Sequence, residues 1–172
     1  MTDNSGSLSV EELIPLIRAI SIQKIAASSE RYSEKQPMGA QLNSGMGLEV
    51  IENSIHFRIN YQLRLKSEPS DSGEVVGDLQ SSVVVAYVTD NPPHELWANS
   101  APALASMAAL AGHPYLRQSI SLQASELSFP NVTIGLLKLG STLADSVTIA
   151  DRVYPFTTAP IDAVQEVVEV DG

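Results

Sequence analysis

Three histidines, an adjacent pair of glutamates and a short basic run are the side chains here whose types invite chemistry. His56, His94 and His113 do not stand in His-Glu-x-x-His, and no two of them are four residues apart, so zinc-type metal catalysis is not expected. The chain has no cysteine, which removes thiol nucleophiles, thiolate metal ligands and disulfides. No serine lies in a Gly-x-Ser-x-Gly elbow. Gly45-Met46-Gly47 and Gly77-Asp78 lack the surroundings of a phosphate-binding loop. Glu11-Glu12 suits the electropositive start of a helix better than acid–base work. No catalytic residue, metal or cofactor is assigned, and the chain is read as a non-enzyme.

Two other groupings point to binding. His56, Arg58, Arg64 and Lys66 share one face of a strand-like segment, in a chain whose formal charge is -10. They can pair with carboxylates on the next strand, or offer a docking face to an acidic partner. Tyr87, Leu96 and Trp97 bracket Asn91-Pro92-Pro93, where they either cap the core or line a groove for extended peptide. With 20 acidic against 10 basic residues, the chain repels phosphate backbones, and nucleic acid is not expected as a partner.

The elements that position these groups follow from periodicity. Ser9 and Glu12 have capping-box spacing, Leu8 and Leu13 can form the staple, and Pro15 ends the turn. Ala19–Tyr32 reads as a strand, with Ile20 and Ile22 on one face and Ile25 on the other, as at a bulge or in a strand buried on parts of both faces. Ser33–Gly47 carries proline, asparagine and glycines and reads as a loop that enters the next strand near Met46. The clearest signal is Ile55–Lys66. Ile55, Phe57, Ile59, Tyr61, Leu63 and Leu65 face one way, while His56, Arg58, Asn60, Gln62, Arg64 and Lys66 face the other. Unbroken alternation of this kind makes an antiparallel strand with one buried and one wet face.

Glu52-Asn53 reads as a turn or bulge before that strand, Ser67–Asp78 as an exposed connector after it, and Leu79–Thr89 as its hairpin partner. Two helices are expected next. Ser100 caps Ala103–Ala111, which Gly112 closes; Pro114 then opens a second helix to about Ser128, with Leu116, Ile120, Ala124 and Leu127 as its stripe. The layout is α+β: a four-stranded antiparallel sheet with helices packed on one face. Residues 1–18 form a tail with a short helix, 19–139 the folded domain, and 140–172 a C-terminal extension whose last ten residues are acidic. MTDNSGSLSVEE has neither a basic start nor an apolar core, and the apolar stretch Ala101–Gly112 is too short to cross a bilayer. A cytoplasmic protein with no membrane insertion is expected.

Pro114-Tyr115-Leu116-Arg117, followed by Phe129-Pro130, resembles the Pro-Tyr-x-Arg helix start and aromatic helix exit of the SecB family of protein-export chaperones and its toxin–antitoxin relatives. Val85-Ala86-Tyr87-Val88 is similar to that family's last sheet strand, and the order of elements agrees over residues 19–139. The resemblance implies an ATP-independent holdase that binds unfolded or precursor polypeptides in apolar grooves and assembles as a homotetrameric dimer of dimers. A translocation ATPase or an antitoxin would be a further partner. It gives Pro114, Tyr115, Arg117, Phe129 and Pro130 structural roles, with Tyr115 and Leu116 starting the helix's buried side. Tyr61, Leu63, Tyr87, Leu96, Trp97, Leu104 and Met107 become the groove candidates. The chain departs from the family in Thr133-Ile134-Gly135-Leu136 after the helix, in a longer β-like end, and in a partly basic sheet face. A specialised or toxin–antitoxin role therefore stands beside export. The rival class is an adaptor or structural protein with one dedicated folded partner.

Overall fold

A computed structural model describes residues 9–70, 72–89, 100–138, 141 and 143–156. The capping box forms as its spacing requires. Glu12 N donates to Ser9 Oγ at 3.4 Å and Ser9 N to the Glu12 carboxylate at 2.9 Å, and this opens helix α1, Val10–Leu13. Pro15 sits in a single 3₁₀ turn, Ile14–Leu16, that ends the helix. Leu8, the outer half of the expected staple, lies outside the described residues.

Four long strands follow: β1 Ile17–Arg31, β2 Gly39–Ile51, β3 Ser54–Lys66 and β4 Val75–Thr89. They form one antiparallel sheet in the order β1-β4-β3-β2. The alternation of β3 sets the register, because a slip of one residue would turn its whole apolar face to water. The expected β3–β4 hairpin is present, and Glu52-Asn53 is the two-residue turn between β2 and β3. The β1 bulge falls where the sequence places it: Lys24 pairs with Val83 and Ala26 with Ser82, leaving Ile25 without an opposite residue.

Three expectations need correction. Most of the loop expected over Ser33–Gly47 is strand, since β2 begins at Gly39 and pairs without a break from Gly39↔Lys66 to Ile51↔Ser54. Its glycines lower strand propensity, but a full ladder of partners on β3 overrides that. Gly39 itself is demanded by crowding, because a Cβ there would sit 2.6 Å from the Glu68 carbonyl oxygen. The connector is also shorter, β4 starting at Val75 and not at Leu79.

The third correction concerns the helices. The two expected are one, α2, Ala101–Glu126, running through both Gly112 and Pro114. Gly112 does not close a helix; it lets α2 approach the sheet. An added Cβ would lie 3.1 Å from both Ile59 Cδ1 and Val83 Cγ2. Apolar packing of Leu104, Ala108, Leu116, Ile120 and Ala124 on the sheet carries the helix past a proline that would end it in isolation. Ser100 occupies the N-cap position and its carbonyl accepts from Leu104 N at 3.0 Å, but its side chain makes no capping hydrogen bond.

After α2 the chain forms a second, three-stranded antiparallel sheet from β5 Thr133–Ile134, β6 Ser146–Ile149 and β7 Arg152–Pro155. It takes strands from both sides of residue 139. Ile134, Val147 and Ile149 join the core beneath the main sheet. No helix of the described residues is long and apolar enough to cross a membrane.

Candidate functional site

The basic run divides once the strands are paired. Arg64 Nε lies 3.5 Å from Asp78 Oδ2, which also accepts from Gln62 Nε2 at 2.6 Å. Lys66, expected on the wet face, is buried at the end of β3. His56 shares a 2.8 Å hydrogen bond with Ser54 Oγ. Arg58 is exposed, set between Gly47 and Val84 on the flanking strands. Cross-strand pairing thus accounts for Arg64; half-buried His56 lies opposite Glu49 of β2, and exposed Arg58 lines the same outer-face recess as both.

The groove candidates divide as well. Tyr61, Leu63, Tyr87 and Leu104 are fully buried between sheet and helix. They are the floor beneath a surface and not the surface, because alternation selects a face but does not say which rows the helix covers. Burial pushes the hydroxyls of Tyr61 and Tyr87 up to about 12. Met107 stays partly exposed, in a shallow recess with Ile14, Ile17 and Ile20. Leu96 and Trp97 lie outside the described residues, in the stretch joining Thr89 to Ser100.

The exposed apolar side chains border that floor at the same end of the sheet. One row crosses the inner face as Ile20, Tyr87, Ile55 and Val50. Its central members are buried, whereas Ile20 is 54% exposed and Val50 51%. In the next row, Ile22, Val85, Phe57 and Leu48, the β2 residue Leu48 is 50% exposed. Ile51 and Met46 extend the β2 margin; Ile14 and Leu16 extend the β1 margin. Leu48, Val50 and Ile51 fall past Met46, where the sequence already reads as strand; what alternation does not tell is which rows the helix leaves uncovered.

The Pro-Tyr-x-Arg residues act as structure. Pro114 and Tyr115 face solvent, so Tyr115 does not begin a buried side; Leu116 does. Arg117 Nε donates to the Ile134 carbonyl at 2.7 Å. Phe129 is buried and Pro130 half-buried after the helix. Gly77 leaves room for Phe129, as a Cβ there would meet the ring at 2.6 Å. Two further residues emerge. Arg31 lies over the Phe129 ring, 4.7 Å from its centroid, and donates to the Leu127 carbonyl at 2.8 Å, tying the helix end to β1. His113, expected as a boundary residue, is buried inside α2 between Tyr61 and Gly135. Its spacing to Leu116 and Ile120, three and seven residues, was the available signal. Among the described residues no cluster of histidine and carboxylate groups could hold a metal ion.

A four-stranded antiparallel sheet with a long helix on one face, and an apolar end to that face, is the SecB-like fold. The chain matches the solved SecB-like chaperone Rv1957 of Mycobacterium tuberculosis, in complex with a ChAD peptide from the HigA1 antitoxin Rv1956, with a TM-score of 0.59 at 15% identity. The match covers 75% of this chain and 94% of that one. No family model matches the sequence, and no curated protein matches it.

Proposed function

We propose that this protein is a chaperone that holds unfolded polypeptide, without nucleotide, along the apolar β2 margin of its main sheet. The observation that carries this reading is the inner-face strip of exposed Leu48 and Val50 with half-buried Met46, on a strand that is a sheet edge among the described residues. An extended client adds its backbone to the unpaired N–H and C=O groups of β2 and lays alternate side chains over that strip. Recognition of this kind reads main chain and hydrophobicity, so it accepts many clients. The antitoxin-derived peptide on the Rv1957 neighbour supports a polypeptide ligand, and a toxin–antitoxin partner is the corresponding specialised role. Tyr61, Leu63, Tyr87 and Leu104 form the floor of this surface, with Met107 on the opposite margin. A second copy of the chain covers the β1 margin, where Ile14, Leu16 and Ile20 are exposed, giving a soluble homo-oligomer.

Aggregation of a reduced, unfolded client, followed by light scattering, tests the function. The parent suppresses aggregation without nucleotide, and the double variant Leu48→Asp/Val50→Asp does not, while its circular dichroism matches the parent. Equal suppression by both proteins rejects the margin. Failure of the parent across several unrelated clients rejects the chaperone reading in favour of an adaptor with one folded partner.

A further inference from the structure

His113 lies 4% exposed in the middle of α2, between two sheets. Its Nε2 is 2.9 Å from the carbonyl oxygen of Gly135, next to β5, and its Nδ1 is 3.1 Å from the Tyr61 hydroxyl on β3. A carbonyl only accepts, so Nε2 carries the hydrogen. In the neutral ring Nδ1 then accepts from the tyrosine. Gly135 N in turn donates to Ser146 O of β6 at 2.8 Å. One imidazole therefore joins the core strand β3 to the small C-terminal sheet. A second, permanently charged tie lies one turn along: Arg117 Nε to the Ile134 carbonyl at 2.7 Å.

We propose that neutral His113 is an acid-sensitive latch on the β5–β7 sheet, and that its protonation raises the frequency with which this sheet lifts from α2 and β3. A charged ring carries hydrogen on both nitrogens. Nδ1 then no longer accepts from Tyr61, and the tyrosine hydroxyl loses the acceptor it uses here. Of the groups around the ring only the Gly135 carbonyl, next to β5, favours the charge; β3 contributes the neutral Tyr61 hydroxyl and α2 the Arg117 cation. No carboxylate of the described residues acts on the ring. At the adjacent Gly112 the atoms nearest an added Cβ belong to Ile59, Val83 and Val85, all apolar. Burial accordingly holds the imidazole below its ordinary value of 6.5, with the Gly135 carbonyl acting in the opposite direction and the Arg117 charge adding to the lowering.

The sign follows from linkage. The neutral-ring contribution is complete above the ordinary value, where open and closed states are both neutral. It is lost as pH falls from there toward the depressed closed-state value. At pH 5 an open-state imidazole titrating at its ordinary value favours opening by at most about 30-fold. Ile134, Val147 and Ile149 stay buried most of the time, so the change is in opening frequency and not in mean structure. Each opening uncovers those side chains.

Amide hydrogen exchange of the full chain, read as protection factors at pH 7.5 and pH 5, tests the latch. In the parent, β5–β7 amides lose protection by up to about 30-fold at pH 5 while β1–β4 amides keep theirs. His113→Gln, which retains one donor and one acceptor but does not titrate, removes the pH dependence. Arg117→Met lowers protection at both pH values and retains the dependence. The imidazole resonances of the parent provide a second reading that needs no variant: the ring is the Nε2-H tautomer, and it titrates below the ordinary histidine value. The latch is overturned if β5–β7 protection is unchanged while the ring titrates. It is equally overturned if His113→Gln keeps the full pH dependence, or if β1–β4 amides lose protection in step.

Discussion

Among the described residues the main sheet has two edge strands, β1 and β2, and they are built differently. β1 carries Arg18, Lys24, Glu30 and Arg31, and its ladder with β4 is interrupted at Ile25 and between Ile17 and Ala19. Charges and bulges of this kind keep an edge from adding another strand. β2 carries a single charge, Glu49, and its ladder with β3 is unbroken. Gly45 and Gly47 leave its outer face open, as a Cβ at Gly47 would have nothing within 4 Å. Both edges border exposed isoleucine, leucine or valine, but only β2 couples that surface to a regular backbone template. Apolar exposure alone would not separate a client site from a subunit interface; in the proposed function the state of the adjacent edge makes that distinction.

The largest expected effects break this asymmetry directly. Leu48→Asp/Val50→Asp weakens an unfolded client's binding at least tenfold, measured by the fluorescence of the sole tryptophan, Trp97, or by titration calorimetry. The loss corresponds to about 1.4 kcal/mol or more, which removing part of the apolar contact readily supplies at about 25 cal/mol per Å². The matched change on the other margin, Ile14→Asp/Ile20→Asp, leaves client affinity within about twofold and lowers the sedimentation coefficient by disrupting self-association. If the two double variants exchange these phenotypes, the edges have been assigned the wrong way round.

Smaller effects sharpen the scaffold behind both edges. Gly112→Val forces α2 off β3 and β4 and costs about 1–3 kcal/mol in urea unfolding. Arg31→Met, which removes the cation over Phe129 and the donor to the Leu127 carbonyl, costs about 1–2 kcal/mol and frays the end of α2. At the far side of the molecule, Ala150 and Asp151 adopt φ of 47° and 66° between β6 and β7. Asp151→Gly relieves left-handed strain and stabilises the chain by up to about 1 kcal/mol, seen as a raised melting temperature.

The sheet was legible where polarity alternates. Ile55–Lys66 declared both its faces, and the extra residue at Ile25 declared its bulge. β2 was not legible, because Gly39, Gly45 and Gly47 read as loop until a partner strand supplies their hydrogen bonds. Gly112 and Pro114 misled for a related reason. Local propensity marks them as breaks, whereas close helix–sheet packing needs the first and tolerates the second. For the candidate site, period two identified the correct face of β3 but not the depth of burial. Tyr61, Leu63 and Tyr87 became floor because α2 lies over them, a tertiary fact that alternation does not encode. His113 stayed hidden because its partners Tyr61 and Gly135 are 52 and 22 residues away in sequence.

Backbone hydrogen exchange with and without a saturating unfolded client tests the central claim most directly. An added strand protects those β2 amides between Gly39 and Ile51 that point away from β3, by about tenfold or more, and leaves the β1 edge as it was. Protection confined to β1, or none on β2 while the client is demonstrably bound, would contradict it.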